Sequence, residues 1–203
     1  MTHEEAFRKL PPEVQKLRRK MGEAMMRFVK RITEMMTEGM EEKLQQITLG
    51  IPPEEEDSMD YEELRRMTQN YRIELERIAR KGVEGTLPWH TLAVWTELGK
   101  ERIGYFARAL ECVEEGRDDL PGVTEPQPNW SDTHMRADCL FEIGRVHAYE
   151  GDAAVARDFL MRALPLAQEA ERLRGAAKIT HDDHLEGKIA ELLVQLPEDG
   201  EAG

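Results

Sequence analysis

Gly151-Asp152 separates two stripes of small and apolar residues, and no other dipeptide limits the fold of this chain so strongly. Upstream, Ala137, Leu140, Ile143, Gly144 and His147 recur every three or four residues, which places them on one face of a helix. Downstream, Ala153, Ala156, Phe159, Leu160, Ala163, Leu164 and Ala167 form a second such face. Glycine accepts a positive φ and aspartate is a good N-cap, so one helix must stop here and the next start almost at once. A connection that short makes the two helices antiparallel neighbours. Met135 to Arg174 therefore predicts a helical hairpin buried along facing stripes, with alanines where the backbones meet.

The composition extends that reading to the whole chain. Hydrophobic residues make up 40%, charged residues 34% and aromatics 6% of 203 residues, the balance that amphipathic helices with solvated outer faces require. No alternating strand pattern competes, so the fold class expected is all-α, and the length suits one domain with a proper core. The net charge of −13 argues against nucleic acid as a partner, because neutralising phosphates needs basic clusters. That charge is unevenly spread: residues 1–50 hold 10 basic against 8 acidic residues, the remainder 18 against 33. No apolar run reaches membrane-spanning length and the N-terminus lacks a signal-peptide pattern, so a cytoplasmic protein with reduced, buried Cys112 and Cys139 is expected.

Leu140, Ile143-Gly144, His147, Gly151, Ala156, Leu160 and Ala163 stand at the offsets at which a tetratricopeptide repeat (TPR) carries its large apolar residue, Leu-Gly pair, aromatic, turn glycine and packing alanines. The hairpin resembles that family over about a fifth of the chain. It departs in having His147 where an aromatic is usual, and in lacking a proline where the second helix should end. The resemblance implies a short TPR-like solenoid whose first helices line a concave surface for a peptide or protein segment. Carried over residue by residue, that surface is Asp138, Phe141, Arg145, Ala148 and Tyr149, with Phe141 and Tyr149 as anchors and Arg145 as the orienting charge. Asp138 and Glu142 stand where some members hold a C-terminal carboxylate with Lys and Asn, so a basic or mixed apolar target is expected.

The other segments are read from their periodicity. Thr2 with Glu5 starts a short helix that Pro11-Pro12 would end. From Val14 a single stripe runs through Leu17, Met21, Met25, Phe28, Ile32, Met36, Met40 and Leu44 to Ile47 at about 3.7 residues per step, so residues 1–50 predict a long Met-rich N-terminal helix. At about 1.5 Å per residue such a helix exceeds the width of a small domain. It must pack across the stack, lie on a second subunit or bend, and Met21, Met25, Phe28, Ile32 and Met36 are the candidate homodimer face. Residues 51–59 hold two prolines and acidic residues with nothing to bury, and read as a linker. Asp60 with Glu63 predicts the start of a helix to about residue 81, and Leu92, Trp95, Gly99, Ile103, Phe106 and Leu110 predict one helix from Trp89 to Glu115, together a second hairpin over 60–115. A long loop follows, with Trp130 at its end pinning it to the core. The repeat-like hairpin then occupies 131–174. Thr180 with Asp183 opens a closing helix over 180–196, and 198–203 is a frayed acidic tail, completing a helical domain over 60–197.

Little in the chain suggests chemistry. His181 and His184 lie three apart with Asp182 and Asp183 between them, but two ligands do not make a metal site. Phosphate-cradling glycine loops, nucleophile elbows and Cys-x-x-Cys pairs are lacking. The expectation is a non-enzymatic adaptor or scaffold that needs no cofactor or metal, binds a protein or peptide and self-associates through its N-terminal helix. Its rival is a ligand-responsive regulatory domain in which that helix moves against the stack. A membrane-surface role for the basic residues of the N-terminal helix is the weakest reading.

Overall fold

The computed structural model describes residues 7–35, 58–80, 86–116, 129–176 and 184–197, and every extended regular element among them is an α-helix. These are α1 (Pro12–Met35), α2 (Ser58–Ala79), α3 (Thr86–Val94), α4 (Lys100–Glu114), α5 (Trp130–Tyr149), α6 (Ala153–Ala176) and α7 (Leu185–Gln195). Each packs principally on the next in sequence, and α7 also touches α5.

Pro12 opens α1 where the missing proline N–H costs no helical hydrogen bond. The Gln15 amide donates to the carbonyls of Arg8 (3.1 Å) and Leu10 (2.8 Å), tying down the short turn before it. Residues 36–50, to which the Met-rich stripe was expected to continue, lie outside the described residues. Ala24 of α1 is buried in one core cluster with Tyr71 and Leu75 of α2, and Arg27 pairs with Glu74 at 3.0 Å. Helix α2 takes in Ser58 and Met59, which the sequence reading had assigned to the linker.

The single helix expected from Trp89 to Glu115 is two helices. The end of α3 tightens, with Thr96 N–H donating to Ala93 O (3.1 Å) and Thr96 Oγ1 to Leu92 O (2.7 Å). Gly99 then takes φ 140° and ψ −171°, a conformation open essentially to glycine alone, and α4 starts at the next residue. The segment 60–115 is thus three helices, with the tight hairpin being α3–α4. Stacking of Trp89 on Tyr105 (5.9 Å) and edge-on contact of His90 with Phe106 (5.4 Å) close it.

The α5–α6 hairpin follows its sequence closely. The Asn129 side chain caps α5 by accepting from Asp132 N–H at 2.8 Å, so Trp130 belongs to the first turn of the helix. Gly151 has φ 84°, and Asp152 N–H reaches back to His147 O at 2.9 Å. Above the turn His147 stacks on Phe159 with ring centroids 5.8 Å apart. A Cβ on Gly144 would lie 3.0 Å from Leu160 Cγ and 3.2 Å from Ala156 O, so the helices touch where the small residues stand. Helix α6 contains Pro165, whose ring withholds a donor from Met161 O; both residues are exposed, so water reaches that carbonyl.

Helix α7 is bonded to α6 near both ends. Gln168 donates to Glu186 (2.9 Å), and Arg157 Nη2 donates to Leu196 O (3.2 Å) and Pro197 O (3.0 Å), satisfying carbonyls that the helix end leaves over. Ala163 admits α7, whose Leu185 and Ile189 complete a second core cluster with Ala137, Leu140 and Leu160. Leu110 and Phe159 pack against both clusters, which join into one core. Fully buried side chains such as Phe106 and Leu160 each contribute about 1.5–3 kcal/mol. The Thr180–Asp183 capping pair and the tail 198–203 lie outside the described residues; His184 is the N-cap of α7 and makes no side-chain cap bond. Cys112 and Cys139 are buried as reduced thiols, and burial pushes the Cys139 thiol far up, the neighbouring Asp138 carboxylate adding to it.

Candidate functional site

Helix α5 carries all five residues expected on a concave binding face. Asp138 accepts His90 Nε2 at 2.6 Å from the preceding hairpin. Four residues on, Glu142 accepts Arg102 Nη2 (3.0 Å) and Arg145 Nη2 (2.7 Å). Arg102 is 3% exposed and also donates to Thr96 O at 3.2 Å. Burial pushes the pKa of its guanidinium down, with Arg145 in the same direction and Glu142 opposing. Two of the residues expected to meet a partner, Asp138 and Arg145, therefore belong with Glu142 to a polar seam against α3 and the start of α4. Phe141 is 7% exposed within the second core cluster, so it is a packing residue here and not a surface anchor. Ala148 packs against the same cluster, Arg145 is committed to Glu142, and Tyr149 alone stands open, at 63% exposure.

Of the expected homodimer face, Met21, Met25, Phe28 and Ile32 fall within α1, and Met36 lies outside the described residues. His181, Asp182 and Asp183 lie outside them too, while His184 is exposed. No group of three or more His, Cys, Asp or Glu that could hold a metal ion occurs among the described residues. None of the described helices is long and apolar enough to cross a membrane.

A cleft of about 580 Å³ lies between the start of α5, the last turns of α6 and the start of α7. Its α5 wall is Trp130 and His134, whose rings are 6.2 Å apart. Ala167 and Ala170 of α6 supply a flat apolar floor, with Glu171 and Arg174 beyond them paired to each other at 2.5 Å. Glu186 and Ala190 face them from α7. The volume is in the range of ligand sites, and it combines an apolar base with a few polar groups in the way such sites do. A smaller opening of about 410 Å³ between α2 and the α3–α4 turn has Arg65–Glu97 (3.7 Å) and Arg72–Glu101 (3.6 Å) ion pairs along its lining.

Sequence reasoning singled out Trp130 as a pin for the preceding loop and did not join it to Glu171, Arg174 or Glu186. Those residues meet only because α6 runs back to the start of α5 and α7 turns beside it. The signal available in the sequence was the length of α6: a helix reaching beyond Leu173 must lie opposite Trp130.

In class, the described residues form an all-α protein of sequentially packed helices with tight antiparallel hairpins. Comparison with known protein families, curated proteins and solved structures gives no match.

Proposed function

We propose that this chain is a non-enzymatic adaptor or scaffold that binds a peptide or protein segment through a TPR-like helical stack, with the partner seated at the α5–α6–α7 cleft. The observation that carries this reading is the cleft itself, which pairs an indole wall with an alanine floor. The position of the site differs from the concave face that the family resemblance suggests, because His90, Arg102 and the second core cluster occupy most of that face. Tyr149 remains as an outlying contact. Self-association through α1 belongs to the same reading, supported by a helix of 24 residues joined to the stack through α2.

Selection of random peptides on the immobilised full chain tests the binding function. Selected peptides are expected to saturate and to lose affinity on Trp130→Ala. A failure to select any saturable peptide refutes the adaptor reading, and peptides indifferent to Trp130 refute the site. Light scattering of the full chain and of one beginning at Ser58 tests self-association; a monomer's mass for each would remove it.

A further inference from the structure

We propose that the cleft receives an arginine side chain presented by a partner segment, an inference that rests on the peptide-binding reading and names the chemistry of its ligand. Among the described lining residues, the carboxylates of Glu171 and Glu186 stand against one guanidinium, that of Arg174. The cleft lies in a chain of net charge −13, whose field draws basic partners towards it. An anionic ligand would meet two carboxylates on entering.

The shape of the lining narrows the choice of cation. Ala167 and Ala170 make a floor without side-chain projections, suited to the aliphatic stem of a long basic residue. Trp130 offers the ring type that attracts cations most strongly, and a planar guanidinium stacks on such a face where a lysine ammonium cannot. Within α6, Arg174 already holds its guanidinium against Glu171 at 2.5 Å, its own side chain 16% and that of Glu171 51% exposed. A partner arginine would compete for the same carboxylate, with Glu186 across the cleft, one oxygen of which accepts from Gln168 at 2.9 Å, as its second acceptor. Arg174 thus acts as a resident competitor, and removing it should improve binding.

The test uses the full chain and two capped peptides, acetyl-Ala-Arg-Ala-amide and its citrulline counterpart, which has the same shape without the charge. Binding is read from the Trp130 indole N–H resonance during titration, assigned by its disappearance in Trp130→Phe. The arginine peptide should shift that signal saturably, and citrulline should bind at least about tenfold more weakly, since hydrogen bonds to charged groups are worth that much. Glu171→Gln should weaken the arginine peptide, and Arg174→Gln, which leaves Glu171 unclaimed, should strengthen it. Equal affinity for citrulline, or weaker binding by Arg174→Gln, overturns the proposal. Selected peptides that contain no arginine yet depend on Trp130 would overturn it as well, while leaving the adaptor reading intact. Failure to select any peptide removes both.

Discussion

Replacing Glu142 with alanine tests whether the polar seam holds the two hairpins together. Its carboxylate is the shared acceptor of Arg102 at 3.0 Å and Arg145 at 2.7 Å. The Arg102 side chain is only 4% exposed and its guanidinium does not give up its proton, so the variant would leave a buried cation with Thr96 O as its remaining partner of the two. Breaking a buried pair from one side costs about 3–5 kcal/mol. Arg145 is 39% exposed, and its lost pair adds only about 0–1 kcal/mol because water screens it. For a chain of this size that total lowers Tm by roughly 6–24 °C. Denaturant midpoints and calorimetry at neutral pH would measure it. Arg102→Met with Glu142→Met removes both charges and should recover most of the loss, since apolar replacement of a whole buried pair is commonly neutral. A loss below about 1 kcal/mol for Glu142→Ala, or a double variant no more stable than the single, would refute the argument.

Three further outcomes follow from the backbone, the packing and the tyrosines. Gly99→Ala forces a side chain into φ 140°, ψ −171° and should cost about 1–3 kcal/mol in denaturant unfolding; a neutral effect would mean the α3–α4 turn differs from the one described. Gly144→Ala puts a Cβ within 3.0 Å of Leu160 Cγ and should destabilise by about 1–3 kcal/mol, whereas Gly22→Ala, with open space around it, should not. Burial, reinforced by Glu74, pushes the Tyr71 pKa up to about 12, and burial with Glu101 and Glu76 does the same for Tyr105. The folded state then holds these protons more tightly than the unfolded one, so stability is intact below about pH 10 and falls as pH rises towards 12. Tyr71→Phe should flatten that alkaline decline, read from denaturant midpoints across the range.

The α5–α6 hairpin was legible in the sequence because its signals agree: Gly151 breaks the helix, Asp152 follows, and small residues fall on facing stripes. The α3–α4 hairpin was hidden because Leu92, Trp95, Gly99, Ile103 and Phe106 keep helical spacing straight through the turn. Periodicity records which side of a segment is buried and is blind to a reversal that preserves it. Gly99 was visible as a residue, but its φ is decided by the helices it joins. Phe141, expected as a surface anchor, is buried for a related reason: a residue on the open face of an isolated hairpin becomes core once neighbouring helices pack on it. The pairing of His90 with Asp138, 48 positions apart, had no local signature.

Sequential packing has a consequence for how events at the two ends of the chain communicate. Among the described residues α1 packs chiefly on α2 while the cleft lies among α5, α6 and α7, so a disturbance at one end is passed on across successive interfaces, much as in a one-dimensional array. Occupation of the cleft and engagement of α1 should therefore contribute nearly independent free energies. Affinities measured for each alone would then predict the doubly bound state, and a protein bridging two partners would connect them without either one governing the other.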